Sequence, residues 1–239
     1  MVRSTICFAG KSSLDFGICV EKCPAFVTGT VEYEKIKIPG RNGELVRKSK
    51  ITMSNYIQPY DIWFHGQSKD TVRDAEKIAL WLLLNKGYAR LEDTYDPDTY
   101  RMALFAGPLD VKNWMLVRGR TSLEFDCKPE RFLKSGEFPI VIKNGEKILN
   151  NWMPAKPLIA ITGTGEADIS VGASHVHITD LGEKITLDCD ALNAYDGLTN
   201  KNNKIQVTGG WPVLENGENS ITWSGGIQSV TITPHWWMP

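Results

Sequence analysis

The sequence predicts a mostly β protein with one helix, built as an N-terminal α+β domain followed by a C-terminal antiparallel β-sandwich or jelly roll. Three observations support this fold class: a hairpin signal at about residues 31–51, one amphipathic segment at about 68–87, and a series of short β runs after residue 135. The chain has 239 residues, which is enough for two domains of ordinary size. We therefore expect a division into residues 1–135 and 136–239.

The hairpin signal joins two short extended runs through a turn-forming segment. The first run ends in Lys35-Ile-Lys-Ile38, which alternates polar and apolar residues, and the second is Glu44-Leu-Val-Arg47. Asn42-Gly43 between them tolerates the positive φ of a type I′ turn. A two-stranded arm is marginally stable alone, so we expect it to lie against a core or a neighbouring subunit. The candidate oligomer-interface residues are those of its turn: Ile38, Pro39, Gly40, Arg41, Asn42 and Gly43.

A single helix is predicted between Ser68, a favourable N-cap, and Gly87, a favourable C-terminal stop. Its apolar residues recur at helical spacing, and we expect this face to close a small core by packing on a sheet. These residues are Val72, Ala75, Ala79, Leu82 and Leu83. Three further runs, Tyr88 to Leu91, Tyr100 to Phe105 and Thr121 to Cys127, are typical of strands.

Short β runs separated by turn signals fill the second half of the chain. A segment with Pro129 and Gly136 loses periodicity, which places the domain boundary near Ser135. Among the turn signals that follow are Asn144-Gly145, Gly163-Thr-Gly165, Asp196-Gly197 and Gly225-Gly226. Strands of this length and spacing are typical of an antiparallel sandwich.

Charge and hydropathy exclude several classes of protein. Residues 1–135 carry 21 Lys+Arg against 17 Asp+Glu, and the remainder carries 6 against 11, so the halves have net charges of +4 and −5. Without a basic stripe, specific nucleic-acid binding is not expected. The apolar run from Ile78 to Leu84 is too short to cross a bilayer, and we expect a chain that folds in a cytoplasm.

The five cysteines, Cys7, Cys19, Cys23, Cys127 and Cys189, are odd in number and scattered, which favours reduced thiols over a disulfide framework. Cys19 and Cys23 have no second Cys or His pair nearby. Their spacing therefore favours packed thiols over a zinc site.

Signatures of catalysis are absent from the sequence, and no cofactor is expected. The best metal candidate is His175-Val-His177, since residues two apart on a strand face the same side and could share a cation with Asp180 or Asp168. Polar residues on the solvent face of a sheet give the same pattern, and this interpretation is favoured. The acidic clusters at residues 92–98 and 188–190 are interpreted as turns that cap local amides.

Eight tryptophans are present, and four of them lie in the last thirty residues: Trp211, Trp223, Trp236 and Trp237. Exposed rings on a sandwich could stack on sugars, whereas buried rings fill cores and interfaces. Both alternatives are open at this point.

Many segments, in order, resemble the distal tail protein family of phages with long non-contractile tails that infect Gram-positive hosts. No single motif is specific, and the resemblance lies in their number and order along the whole chain. In the first half they are Ser12-Ser-Leu-Asp-Phe-Gly-Ile18, Ile38-Pro-Gly-Arg-Asn-Gly43, Trp81-Leu82, Leu91-Glu-Asp-Thr-Tyr-Asp-Pro-Asp-Thr-Tyr100 and Leu123-Glu-Phe-Asp-Cys-Lys-Pro129. In the second half they are Pro157-Leu-Ile-Ala-Ile-Thr-Gly-Thr-Gly165, Ile185-Thr-Leu-Asp-Cys-Asp190, Ala194-Tyr195, Gly210-Trp-Pro-Val-Leu-Glu-Asn-Gly-Glu-Asn219 and Ile232-Thr-Pro-His-Trp-Trp237.

The resemblance implies a structural virion protein rather than an enzyme: a hexameric ring at the tail tip, made late in the bacterial host cytoplasm. It implies a ring-forming N-terminal domain and a galectin-like C-terminal sandwich. The implied partners are further copies of the chain, the major tail protein, a tail-associated baseplate or fibre protein, and receptor-binding proteins on the outer domain.

Two departures from the family qualify this expectation. The chain has no room for the extra carbohydrate-binding module of some relatives, and a galectin sugar site cannot be assembled around His175, His177 or Trp223. A carbohydrate-binding sandwich is the main alternative function, and a metal-dependent hydrolase centred on His175 and His177 is a third.

Overall fold

The computed structural model describes residues 4–47, 52–64, 71–108 and 120–239. The chain divides into two compact units, Met1–Arg131 with Pro239, and Phe132–Met238. The roles predicted for residues 1–135 and 136–239 stay predictions. The predicted fold class is confirmed: the described residues are mostly β, their sheets are antiparallel, and they contain one α-helix.

The first unit is built on a sheet that follows the order β2-β1-β9-β10-β11-β8-β3 among the described residues. Its strands are β1 (Ile6–Phe8), β2 (Lys11–Ser12), β3 (Ile18–Val20), β4 (Val31–Glu32), β5 (Lys35–Lys37), β6 (Glu44–Val46), β7 (Thr52–Met53), β8 (Tyr56–Phe64), β9 (Ala89–Asp93), β10 (Thr99–Phe105) and β11 (Arg120–Leu133).

Strict alternation along β8 shows how this sheet forms its core. Every second residue from Tyr56 to Phe64 is buried, and the residues between them are half-buried or exposed. Aromatic and β-branched residues favour strands because they pack well on a pleated, half-buried surface. The rings of Phe8, Tyr60 and Phe125 meet in this core, with centroids 5.1 Å apart for Phe8 and Phe125 and 5.9 Å apart for Tyr60 and Phe125.

The helix α1 spans Thr71–Leu83 and buries Ile78, Trp81 and Leu82 against the sheet. The Trp81 indole donates a hydrogen bond to the Phe8 carbonyl at 3.0 Å and stacks on Phe16 with centroids 4.5 Å apart. The predicted start at Ser68 lies outside the described residues. No helix within them has the length and apolar character needed to cross a membrane.

The predicted helix end at Gly87 is wrong, because α1 ends at Leu83. The Leu84 amide makes a last helical bond to the Leu80 carbonyl at 3.2 Å. The Asn85 side chain then donates to the Trp81 carbonyl at 3.4 Å, which is the acceptor that the Asn85 backbone would have used. An amide side chain that serves the last turn in this way favours a stop before the glycine.

A buried polar network connects β8, β9 and β10. Arg101 donates to Asp93 at 3.3 Å and to the Tyr56 hydroxyl at 3.0 Å, and the Tyr60 hydroxyl donates to Asp93 at 2.8 Å. The other Asp93 oxygen accepts from the amides of Tyr95 and Asp96, both at 2.9 Å. Burial, and then the Asp93 charge, raise the pKa of Tyr60 well above its usual value, so its hydroxyl stays a donor.

The second unit is built on long, bent strands. Its strands are β12 (Ile140–Ile142), β13 (Lys147–Asn150), β14 (Leu158–Val171), β15 (Ser174–Ile178), β16 (Lys184–Asp188), β17 (Asn193–Asp196), β18 (Thr199–Asn200), β19 (Ile205–Thr208), β20 (Gly217–Thr233) and β21 (Trp237–Met238).

Two of these strands, β14 and β20, pair along most of their length and change partners at a common corner. The first part of β14 pairs with β16 and the second with β15, while β20 pairs first with β13 and then with β12. Ile159 and Ile161 from one side of the corner share a core with Ile169 and Val171 from the other. The sandwich is therefore one antiparallel sheet that curls around its own core.

Four glycines form this corner, and their interpretation as turns is wrong. Gly163 and Gly165 lie inside β14, Gly225 and Gly226 lie inside β20, and the strand register is irregular between Thr162 and Ala167. A Cβ on Gly226 would lie 1.6 Å from the Thr164 carbonyl oxygen. These glycines let two backbones meet at a bulge, where the sequence suggested that each strand ended.

We expect Gly226→Ala to destabilise the second unit by more than the ~1–3 kcal/mol of an overpacked core, because backbone rather than a movable side chain blocks the methyl group. Urea unfolding followed by tryptophan fluorescence measures this effect. Gly172→Ala is the matched control, since its Cβ meets nothing within 4 Å and only its φ of +57° is unfavourable. Equal losses in the two variants would contradict the assigned corner.

Asp93→Asn keeps the shape of the network and removes its negative charge. We expect a loss of about 3–5 kcal/mol in the free energy of unfolding, because a buried Arg101 loses its counter-ion. Glu218→Gln removes the carboxylate of the exposed Lys147–Glu218 pair and should change stability little. Chemical denaturation of both variants is the measurement, and similar midpoints would show that the network carries no special weight.

Candidate assembly surfaces

The hairpin arm, residues 35–46, is an antiparallel pair with little cover from its own chain. Strand β5 pairs with β6 so that Ile36 lies opposite Leu45 and Lys37 lies opposite Glu44. At the base, β4 pairs with β7. Every residue of β5 and β6 is exposed.

The two faces of the arm differ in chemistry. Ile36 and Leu45 are direct cross-strand neighbours and therefore share a face, and Ile38 follows two residues after Ile36. Their exposed fractions are 40% for Ile36, 42% for Leu45 and 37% for Ile38. The opposite face carries Lys35, Lys37 and Glu44, together with the exposed Val46, which pairs with Lys35. The arm thus presents an apolar face that stays partly exposed to water.

The turn of the arm differs from the prediction. The Arg41 amide donates to the Ile38 carbonyl at 3.2 Å, and Gly40 has a φ of +77°. This is the pattern of a type II turn with Pro39 in its first central position. Asn42 is not among the described residues with positive φ, so the predicted type I′ turn at Asn42-Gly43 is wrong. Proline and glycine reverse the chain earlier because their preferred φ values match those that this turn needs.

Some of the charged residues of the arm form ion pairs. Arg47 lies 3.4 Å from Glu34, and Lys35 lies 3.9 Å from Glu44. Arg41, in the turn, makes no ion pair with any described residue. It is an exposed cation at the tip of the apolar face.

A second apolar surface lies on α1, on the side opposite the buried one. Leu80, Leu83 and Leu84 have exposed fractions of 56%, 61% and 67%. With Ala79 and Glu76 they line a shallow hollow of about 410 Å³. We call these five residues the leucine stripe. Glu76 makes no ion pair within the described part of the chain.

Sequence reasoning missed the leucine stripe and misplaced Leu83 on the buried face. The signal was present, because the run from Ile78 to Leu84 holds seven consecutive apolar residues. A helix packed on one sheet buries only one stripe, so a run that is apolar all round predicts a second covered surface.

The histidine candidates come together on the second unit. Asp168 lies opposite His177 in the β14–β15 pair, and its Oδ1 lies 2.9 Å from His177 Nδ1 and 3.2 Å from His175 Nε2. Ser170 lies 3.1 Å from His175 Nδ1. Asp180, the other predicted partner, instead accepts from the Gly182 amide and pairs with Lys204.

The geometry of the histidine cluster bears on the metal-site alternative. Among the described residues, no group of three or more His, Cys, Asp or Glu side chains is arranged to hold an ion. The ring nitrogens of both histidines approach one Asp168 oxygen, which is the arrangement of a hydrogen-bonded surface network. The prediction that His175 and His177 are metal ligands gains no support from this geometry.

The C-terminal tryptophans belong largely to the core of the second unit. Trp236 is buried in it, and Trp211, Trp223 and Trp237 pack against it. Trp223 is also held at its backbone by Asn144, which both donates to it and accepts from it. This placement favours the interpretation of these rings as core residues over the sugar-stacking alternative.

The cysteines are all free thiols in the described residues. Cys19 is buried and Cys23 is exposed, and no metal cluster within the described ranges includes them. Burial raises the pKa of Cys127 and of Cys189 to about 12. Neither thiol has the character of a nucleophile.

Comparison with solved structures shows a shared fold over nearly the whole chain. The Dit protein of phage SPP1, described as a paradigm of the hub adsorption apparatus in phages that infect Gram-positive hosts, is 12% identical with a TM-score of 0.74. The similarity covers 96% of this chain and 97% of that one. A chain of the phage P2 baseplate in its activated conformation with calcium is 10% identical, with a TM-score of 0.56 and 97% coverage of both chains.

No protein-family model matches the sequence, and no curated protein matches it. The fold that the resemblance to distal tail proteins predicts is confirmed: this chain shares it with the SPP1 protein across 96% of its length.

The raised thiol pKa values give a testable order of reactivity. At pH 8, Cys127 and Cys189, with pKa values of about 12, form almost no thiolate, and burial blocks access to them. We expect a thiol-specific disulfide reagent to modify Cys23 rapidly and these two only after denaturation. Cys23→Ser should remove the rapid phase. Rapid labelling of Cys127 or Cys189 in the folded protein, mapped by mass spectrometry, would contradict the assigned burial.

Proposed function

We propose that this chain is a structural virion protein that forms a hexameric ring at the tip of a phage tail. The observation that carries the proposal is the near-complete sharing of fold with a hub protein, which covers both units rather than one module. The proposed activity is connection: the ring joins the tail tube to the baseplate or fibre and keeps a channel open. No catalytic step is part of it.

The free energy of burying the exposed arm is a second argument for assembly. Burying apolar surface contributes about 25 cal/mol per Å², so the part of the arm's apolar face that stays exposed adds nothing to this term. Ile36, Ile38 and Leu45 remain in water in the isolated chain. Contact with a further copy would bury them. The residues 38–43 keep their proposed place at this interface.

Contacts that repeat from copy to copy form a ring when the rotation between copies closes. In the proposed assembly the major tail protein lies on one side of the ring and a tail-associated baseplate or fibre protein on the other. Receptor-binding proteins dock on the second unit, which serves as a galectin-like scaffold. The protein is thus proposed to be made in the host cytoplasm and to end in the tail tip.

We expect light scattering at rising concentration to give a species of six times the 26.7 kDa chain mass. Ile36→Glu places a charge at the centre of the apolar face of the arm and should shift this species toward the monomer. Leu198→Glu is the control, because Leu198 is a fully exposed turn residue of the second unit. Thermal unfolding of each variant checks that the fold is intact. An assembly that tolerates Ile36→Glu would exclude the arm from the interface.

Location is tested on particles. Antibody raised against the chain and detected with gold by electron microscopy should label the tail tips of virions. Label along the tube, on the capsid or only on free protein would contradict a hub role. This result is independent of whether the ring forms without its neighbours in solution.

A further inference from the structure

Two of the exposed apolar surfaces in the described part of the first unit lie on the arm and on the helix. One is the apolar face of the hairpin arm with Ile36, Ile38 and Leu45, and the other is the leucine stripe of α1. Each presents three branched aliphatic side chains to water. Scattered exposed leucines are ordinary, but contiguous apolar patches of this kind mark interaction sites.

The spacing of the two surfaces is compatible. Residues two apart on a strand are separated by about 6.6 Å, which is the step from Ile36 to Ile38. Residues four apart on a helix are separated by about 6.0 Å along the axis, which is the step from Leu80 to Leu84. A strand laid along the helix can therefore place successive side chains against successive turns.

The charges beside the two apolar surfaces favour a second copy of this chain as the partner that binds the leucine stripe. Glu76 at the rim of the hollow has no cation partner among the described residues, and Arg41 at the tip of the arm has no acid partner there either. Lys37 lies opposite Glu44 on the other face of the arm and is less suited to this role. The described part of the chain thus supplies both an unpaired anion beside one apolar surface and an unpaired cation beside the other.

From these observations we infer that the arm of one copy docks on the leucine stripe of the next. Ile36, Ile38 and Leu45 cover Leu80, Leu83 and Leu84, and Arg41 meets Glu76. Two different surfaces join, so the contact is heterologous, and each copy both gives an arm and receives one. The inference rests on the proposed assembly function and specifies the surface that receives the arm.

Charge reversal tests this contact. Glu76→Arg and Arg41→Glu should each raise the concentration needed for half-assembly at least about tenfold, because each places like charges together. The double variant restores an opposite pair and should assemble within about threefold of the wild type. Glu183→Arg, an exposed charge change on the second unit, should have no effect.

The outcomes separate this inference from the proposed function. If Ile36→Glu disrupts the assembly while Glu76→Arg and Leu83→Ser leave it intact, the arm docks elsewhere and only the inference fails. The inference also fails if the double variant assembles no better than the single ones. Label absent from tail tips counts against the hub role and leaves the measured contact between copies in place.

Cross-linking tests the same contact by position. Ile38→Cys and Leu83→Cys are prepared separately, each with Cys23→Ser to remove the exposed native thiol. A short bifunctional maleimide should join the two only in the mixture, since the contact pairs unlike surfaces. Cross-links within the Ile38→Cys preparation alone would indicate arm-to-arm contact and overturn the inference. The inference is also overturned if both thiols take up a monofunctional maleimide but the mixture gives no joined pair.

Discussion

The hairpin arm leaves its apolar face partly exposed in the described structure, and this feature links the fold to the proposed function. The sheet of the first unit pairs its strands and packs α1 on its core, yet β5 and β6 remain exposed along their whole length. Exposed strand edges and apolar faces invite pairing with other chains, which natural proteins suppress unless the pairing is used. Lys35, Lys37 and Glu44 place charges on one face of the arm. The other face is apolar at Ile36, Ile38 and Leu45 and ends in the Glu34–Arg47 ion pair at its base.

A buried polar network fixes how the strands are arranged in the interior of the first unit. Arg101, Asp93, Tyr56 and Tyr60 satisfy one another in a buried network, and Asp93 also holds the amides of the turn after β9. A fully satisfied polar network rigidifies a core and fixes a single arrangement. The proposed ring of copies would need that rigidity, because small errors in each contact add up around the circle.

The sequence predicted the elements whose signal is local. Alternation identified the strands around Tyr100 to Phe105 and Thr121 to Cys127, and helical spacing identified α1. The failures arose where the deciding interaction lies elsewhere in the chain. Gly225 and Gly226 resemble a turn until β14 is placed beside them, since the space that they leave is filled by Thr164 and Glu166 of another strand. In the arm, Pro39-Gly40 and Asn42-Gly43 were competing turn signals, and the register of β5 on β6 decides between them only in the folded chain.

The candidate site residues were also predicted only in part, because their contacts depend on distant parts of the chain. Strand periodicity placed His175 and His177 on one face, and the cross-strand register brought Asp168 to them, but the shared oxygen serves hydrogen bonds. The sequence contains the signal for the leucine stripe, which is an excess of apolar residues. It does not identify the partner that binds there, because an apolar surface does not specify what covers it. The proposed contact between two surfaces of one chain would also have a consequence for how its sequence can change. Both sides of such a contact are encoded together, so a change at Glu76 can be matched by a change at Arg41 without any change in a partner. Surfaces joined in that way would be free to change, while the buried alternation, the glycine corner and the polar network keep the fold of this chain.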